Sequence, residues 1–479
     1  MNLRSAPRRA LAVGCAAGLT LLGACSSEDE PERPPAVGEG PNIVVVMTDD
    51  QDVASVRAMP RTRALLADRG TTFRNAVASL PLCCPSRATF LTGQYAHNHR
   101  VFSNKPPDGG YQAFDGRRRT LGVWLEAAGY RTGWIGKYLN GYGLNGVATV
   151  PPGWGRWFSP LGFDSLRMYD YTVSADGEIE EFGDAPADYQ TDVFAREALR
   201  FLRDGEEEQP FFLMLAPLAP HDEDDTVDTG ARDPRPAPRH RGALQATGPP
   251  RPASFNETDV SDKPRKLREP ALTATDLRDL RRLDRSRRES LLAVDEAVSR
   301  IVGALRRQGR LAETLIVFTS DNGYLLGEHR LVGGKSLPYR GIAGVPLFIR
   351  GPGFDRGATV PTAVSNVDLA ATLVDVAGLD PDRELDGASL REVGARGADD
   401  GRAVLLESSA YAGIRTRRFL YVEHSGGEVE LYDLRRDPFE LENLAGDAGS
   451  RARAKRLSET LSRLRDCVGD ECRSGASMG

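Results

Sequence analysis

Apolar residues follow two rhythms along this chain. Ile43-Val44-Val45-Val46-Met47, Phe211-Phe212-Leu213-Met214-Leu215 and Leu315-Ile316-Val317-Phe318 are short, unbroken apolar runs rich in β-branched and aromatic side chains. Lacking the alternation of a half-exposed strand, they predict strands buried on both faces. Tyr130 to Ile135 reads as a fourth. Between them the period lengthens, and residues 121–128, 191–202 and 290–305 read as helices. The last carries Leu291, Val294, Val298 and Ile301-Val302 at helical spacing. Strands alternating with helices predict an α/β fold around a large, mainly parallel sheet flanked by helices.

In such sheets ligands collect beyond the carboxyl ends of the strands. Each run stops at polar residues: Thr48-Asp49-Asp50, Thr319-Ser320-Asp321-Asn322-Gly323, Ala219-Pro220-His221 and Gly136-Lys137. All four endings are expected at one rim. Asp49, Asp50, Asp321 and Asn322 offer oxygen ligands, a set that suits Ca²⁺ or Mg²⁺ and not zinc, which prefers sulfur and nitrogen. Asp-Asp and Asp-Asn-Gly are also ordinary turn formers after strands, so spacing alone leaves both readings open.

Composition changes the picture little and the N-terminus changes it more. The 479 residues are 40% apolar and 27% charged, as in ordinary globular proteins. With 68 acidic against 62 basic residues the net charge is −6, which argues against a dedicated nucleic-acid binder. Arg4, Arg8 and Arg9 precede an uncharged run of 14 residues from Leu11 to Ala24, shorter than the ~20 a membrane span needs but suited to an export signal. The run ends Leu22-Gly23-Ala24-Cys25, which resembles a bacterial lipobox. Residues 1–24 are therefore expected to be a lipoprotein signal, Cys25 the lipid-bearing residue and 25–40 a flexible tether. The expected location is the outer face of the bacterial cytoplasmic membrane. Cys467 and Cys472, five apart in an exported chain, suit a small disulfide loop.

The segment Cys83-Cys84-Pro85-Ser86-Arg87-Ala88-Thr89-Phe90-Leu91-Thr92-Gly93 is the most specific. Pro85 and Ser86 can open a helix. Cys83 would then face the helix N-terminus, where free N–H groups and the helix dipole favour negative charge, with Arg87 as a fixed cation. By residue type a buried structural cysteine pair stays open. Beyond residue type, Cys83, Pro85 and Arg87 followed by Leu91-Thr92-Gly93 resemble the activation signature of the sulfatase family. The resemblance extends over nearly the whole chain after residue 40. It is nearest to the N-acetylglucosamine-6-sulfatase and heparan endosulfatase branch through Thr48-Asp49-Asp50-Gln51-Asp52, Gly136-Lys137-Tyr138-Leu139-Asn140, Ser320-Asp321-Asn322-Gly323-Tyr324 and Gly334-Lys335-Ser336-Leu337-Pro338-Tyr339.

The resemblance implies an alkaline-phosphatase-like catalytic domain over 41–400, with an irregular insertion at 222–288, and a C-terminal α+β subdomain with an antiparallel sheet over 401–479. It implies that Cys83 is converted to formylglycine by a formylglycine-generating enzyme. Ca²⁺, more than Mg²⁺, would be held by Asp49, Asp50, modified Cys83, Asp321 and Asn322. Arg87, Lys137, His221 and Lys335 would act on the sulfate, and Asn140 and His329 would contact substrate, a sulfated carbohydrate or aryl sulfate. Alternatives are an arylsulfatase, a phosphonate or phosphate ester hydrolase of the same superfamily, and a glycan-binding lipoprotein with unmodified Cys83. This chain departs from family habit at Leu139 and Leu325, where histidines are frequent, at Arg340, where an acid is usual, and at the acidic run Asp222-Glu223-Asp224-Asp225, read as a solvated loop. His240 and His424 read as surface residues, and His97 and His99 as structural.

Overall fold

The computed structural model describes residues 40–205, 208–225, 230–245, 248–395 and 401–476. The expected signal, Cys25 and the tether through residue 39 lie outside the described residues.

The three apolar runs and the Tyr130–Ile135 segment are strands: Asn42–Thr48, Phe211–Ala216, Thr314–Ser320 and Arg131–Gly136. They are parallel neighbours at the centre of a ten-stranded sheet. Across the sheet the order is Ala358–Ser365, Thr71–Val77, Phe348–Arg350, Thr314–Ser320, Asn42–Thr48, Phe211–Ala216, Arg131–Gly136, Arg156–Pro160, Tyr171–Ala175, Glu178–Phe182. Antiparallel pairs occur at Phe348–Arg350 and along the edge made by the last two strands. The unbroken apolar runs now have their reason. Ile43, Val45 and Met47 point into one core with Phe212, Met214, Leu315 and Val317. Val44 and Val46 point into a second with Leu213, Leu215, Ile316 and Phe318. Each fully buried aliphatic side chain contributes roughly 1.5–3 kcal/mol, so a strand apolar on both faces is held by both layers.

Helices Cys83–Thr92, Leu121–Ala127 and Val367–Val376 cover the first face, and Gln190–Arg203 and Ala274–Arg307 the second. The last of these is longer than the pattern marks, beginning at Ala274 rather than near 290. Thr273 and Asp276 form a reciprocal capping box at its start. Its first turns are dense in arginine on the solvent side, which hides the helical period. The stretch 222–288 is thus not irregular throughout: Glu223–Asp225 and Gly230–Arg232 form a hairpin, and from 274 onward it is helix.

Near the C-terminus, strands Ala403–Glu407, Tyr411–Thr416, Phe419–His424 and Val429–Asp433 form an antiparallel meander. One of its faces is covered by helix Arg451–Leu464. From the other, Val404, Leu406, Leu420 and Tyr432 pack on Val77, Tyr339 and Ala363. Cys467 and Cys472 are disulfide-bonded.

Under the turn that follows Arg131–Gly136, Trp134 stacks on Trp157, Tyr138 meets both edge to face at 5.1 Å, and Tyr142 meets Trp157 edge to face. Trp157 donates to the Tyr142 hydroxyl at 2.9 Å. Trp157→Ala, which empties the centre of this cluster, is expected to cost about 3–5 kcal/mol, read as a lower midpoint in urea unfolding.

Candidate active site

Beyond the carboxyl ends of the four central strands the chain delivers Asp49 and Asp50, Lys137, His221, and Asp321 with Asn322. They meet the first turn of helix Cys83–Thr92, whose residues are all buried. Cys83 is itself the first helical residue and Pro85 the third, two residues later than Pro's favoured first place but still in the first turn. The exchange costs no hydrogen bond, because the first N–H groups of a helix have no partner within it.

Cys83 Sγ lies 3.5 Å from Asp49 Oδ1, 3.9 Å from Asp50 Oδ1 and 3.0 Å from Lys335 Nζ. Lys335 also donates to Asp50 Oδ1 at 2.6 Å and stands 3.4 Å from His221 Nε2. Lys137 is bonded to Asp49 Oδ2. Arg87 Nε donates to Asp321 Oδ2 at 2.9 Å, and its Nη2 is 3.4 Å from Asp49 Oδ2. Three carboxylates thus face three fixed cations. Burial alone would raise the Asp49 carboxyl, but Lys137, His221, Arg87 and Lys335 hold it far below the usual carboxylate range. Asp50 is also held low against its burial, chiefly by Lys335. Asp321 goes the other way, pushed up to about 6 by burial and by Asp49. Burial and the Asp49 charge push the Cys83 thiol up to about 12, so an unmodified sulfur keeps its proton. Burial lowers His221 although Asp50 and Asp49 pull it upward. Its Nδ1 faces the Asp222 carbonyl at 2.5 Å; a carbonyl only accepts, so Nδ1 carries the proton and Nε2 is open toward Lys335.

The donor set fits a hard divalent cation. Ligand atoms of Asp49, Asp50, Cys83 and His221 lie within 4.8 Å of one another. Asn322 donates its amide to Asp50 Oδ1 at 2.7 Å while its own Oδ1 is buried without a partner. An orphaned amide oxygen beside two carboxylates is an oxygen-rich cradle of the kind calcium takes.

Residues 41–379 match the sulfatase family model, and 327–467 match that of the N-sulphoglucosamine sulphohydrolase C-terminal region. The chain belongs to the sulfatase family. It is 36% identical over 365 residues to the putative extracellular sulfatase Sulf-1 homolog of Caenorhabditis elegans, covering 74% of this chain but only 49% of that protein, so it spans about half the relative's length. It is 33% identical over 489 residues to human N-acetylglucosamine-6-sulfatase, covering 91% and 86% of the two chains. A solved protein described in complex with its substrate D-glucosamine-2-N,6-O-disulfate superposes with a TM-score of 0.73 at 26% identity, covering 91% of this sulfatase and 98% of that chain. The shared fold is alkaline-phosphatase-like.

The two candidate substrate residues, Asn140 and His329, bond neither Cys83 nor the charged groups around it among the described residues. Asn140 gives its carbonyl to the Tyr111 N–H at 2.7 Å and keeps its Oδ1 buried and unpartnered. His329 is bound to Glu257 at 2.6 Å and rests 4.6 Å from the Tyr339 ring, in the wall of a separate cavity of about 230 Å³ that includes Asp52, Glu328 and Phe439. Leu139 is buried in the apolar core, so no imidazole stands at that place. The acidic run is not simply solvated. Asp222 accepts from the Tyr324 hydroxyl at 2.9 Å, and buried Glu223 takes a paired contact from Arg235. Neither His240 nor His424 is a surface residue; they are largely buried against Glu296 and Glu430. His97 bonds Glu407 and the Cys467 carbonyl, and His99 bonds Thr89.

Sequence reading missed Ser86, whose hydroxyl donates to the Asp321 carbonyl at 2.5 Å and takes the Asn366 amide at 2.9 Å. It also missed Arg287, although the signal was present: an arginine on the same helical stripe as Leu283, Leu291 and Val294. Arg87→Met removes the cation between Asp49 and Asp321. In calcium-free buffer it is expected to lose about 3–5 kcal/mol, measured by urea denaturation against the parent protein.

Proposed function

We propose that this protein hydrolyses sulfate monoesters, acting on a sulfated carbohydrate of the N-acetylglucosamine 6-sulfate kind, with formylglycine made from Cys83 and a bound calcium ion. The observation that carries the proposal is the closure of Asp49, Asp50 and Lys335 on Cys83 Sγ at a buried helix N-terminus. The names of the relatives support the substrate class. Cys83 has no exposed surface, so a formylglycine-generating enzyme would have to read the Cys83–Arg87 segment before folding. The lipobox-like sequence supports export with Cys25 as a lipid anchor.

Asp49, Asp50, Asp321 and Asn322 would hold the calcium ion. Formylglycine at position 83 would supply an oxygen nucleophile in hydrated form, and bound calcium the positive charge that draws an anion in. That charge is needed. With three carboxylates against three cations, the side chains alone offer a sulfate monoanion no net attraction. Arg87 and Lys137 are buried and locked to carboxylates; they fix the floor of the site by preorganised electrostatics. His221 and Lys335 keep 15% and 28% of their side-chain surface exposed, so substrate enters from their side. The departing sugar oxygen needs a proton. Lys335, held charged chiefly by Asp50 against its burial, is the donor, and neutral His221 orients it through Nε2.

Lys335→Met should lower kcat on a sugar 6-sulfate about 10²–10³-fold. On 4-nitrophenyl sulfate, whose leaving group needs little proton, the loss should be about tenfold; equal losses on both substrates would contradict the assignment. The reaction class is tested by kcat/KM on matched aryl sulfate and aryl phosphonate esters before and after calcium chelation. Sulfate is expected to be preferred and chelation to abolish turnover; a preference for phosphonate would favour the rival hydrolase.

A further inference from the structure

We propose that Arg287 is a positioning residue that holds the Asp50 and His221 ends of the site in register, an inference that rests on the function proposed above. Arg287 lies in helix Ala274–Arg307 and is almost wholly buried. A guanidinium taken out of water needs strong partners. Its nearest carboxylate, Asp222, is 3.7 Å away. Its close contacts are two backbone carbonyls instead: Nη1 donates to Pro220 O at 3.0 Å, and Nη2 to Asp50 O.

Those carbonyls belong to the segments leaving two different strands. Asp50 has φ 61°, a left-handed conformation that side-chain-bearing residues adopt reluctantly. With its carbonyl held by Arg287, its carboxylate meets Lys335, Asn322 and Cys83 on the other side. Pro220 directly precedes His221. The next residue, Asp222, takes the His221 Nδ1 proton on its carbonyl and the Tyr324 hydroxyl on its carboxylate. The Arg287 guanidinium lies 3.9 Å from the centroid of the Tyr324 ring, and Tyr324 follows Asp321-Asn322-Gly323 in the chain. One planar fork therefore touches the strand endings that carry Asp50, His221 and Asp321. A lysine has the charge but not the paired, fixed-angle donors.

Arg287 bonds neither Cys83 nor any exposed face of the site among the described residues, so its effect passes through the groups it holds. Misplacing reacting groups by about 1 Å can cost roughly 10²-fold in rate, and loss of an outer partner of a metal ligand roughly 10–100-fold in affinity. The test uses the full-length, converted enzyme as Arg287→Met, Arg287→Lys and Tyr324→Phe. Three readouts apply: steady-state kinetics, calcium titration calorimetry and thermal unfolding. Arg287→Met is expected to lose about 100-fold in kcat with KM within about threefold, and to bind calcium about tenfold more weakly. Arg287→Lys should recover part of both. Tyr324→Phe, which frees Asp222 but leaves the Arg287 contacts in place, should lose about tenfold in kcat. If Arg287→Met does not fold, Arg287→Lys decides the matter, and parental kcat and calcium affinity in it would count against the proposal. A lowered unfolding temperature with unchanged kcat and calcium affinity would overturn the proposal, leaving the sulfatase reading intact. A parent enzyme inactive on every sulfate ester would overturn that reading, and the calcium titration would still decide for or against Arg287.

Discussion

Three carboxylates and two cations buried together, with a third cation, Lys335, half-open to solvent at their edge, set the terms for the rest of this molecule. Each charge would be costly to bury alone, and removing one partner strands another. The arrangement persists because every member has a counterpart at hydrogen-bond or ion-pair range: Asp49 with Lys137 and Arg87, Asp50 with Lys335, Asp321 with Arg87. The helix that begins at Cys83 adds free N–H groups at the same point. The six charges balance and add little to the pull of those N–H groups on an anion, which gives a divalent cation a defined electrostatic task.

Holding six charges at fixed spacing requires a stiff surround, and the fold supplies it from several directions. The central strands fix Asp49, Lys137, His221 and Asp321 from beneath. The Trp134, Tyr138, Tyr142 and Trp157 cluster braces the turn carrying Lys137. The C-terminal sheet braces the turn carrying Lys335: Tyr339, four residues along, donates to buried Glu430 at 2.8 Å, while Tyr432 and His424 bond the same carboxylate. The C-terminal meander is therefore part of the apparatus that aims Lys335, although none of its residues touches Cys83.

Much of this was legible in the sequence because it rests on short-range rules. Ile43–Met47, Phe211–Leu215 and Leu315–Phe318 announced buried strands by their lack of alternation, and the polar residues after them were expected to share a rim. The Cys83–Arg87 segment marked the helix that meets that rim. What stayed hidden depends on long-range partners. The turns before residue 290 carry Leu280 and Leu283 at helical spacing, but the arginines crowded between them made the stretch look like loop. Asp222 and Glu223 looked solvated until Tyr324 and Arg235 were found opposite them. His424 looked exposed although Glu430 stands only six residues on, because only the hairpin brings that carboxylate back against the ring. Arg287 sat in view on an apolar stripe, but the two carbonyls that explain it lie 67 and 237 positions away along the chain.

Position 83 is where the chemistry is most directly open to measurement. Protein made in its native host can be alkylated at its thiols, probed with a hydroxylamine for aldehydes, digested with trypsin and read by mass spectrometry on the peptide ending at Arg87. An aldehyde adduct at residue 83 beside a single alkylated thiol at Cys84 is the expected result. Two alkylated cysteines in every molecule, in a protein that still hydrolyses sulfate esters, would contradict the central claim.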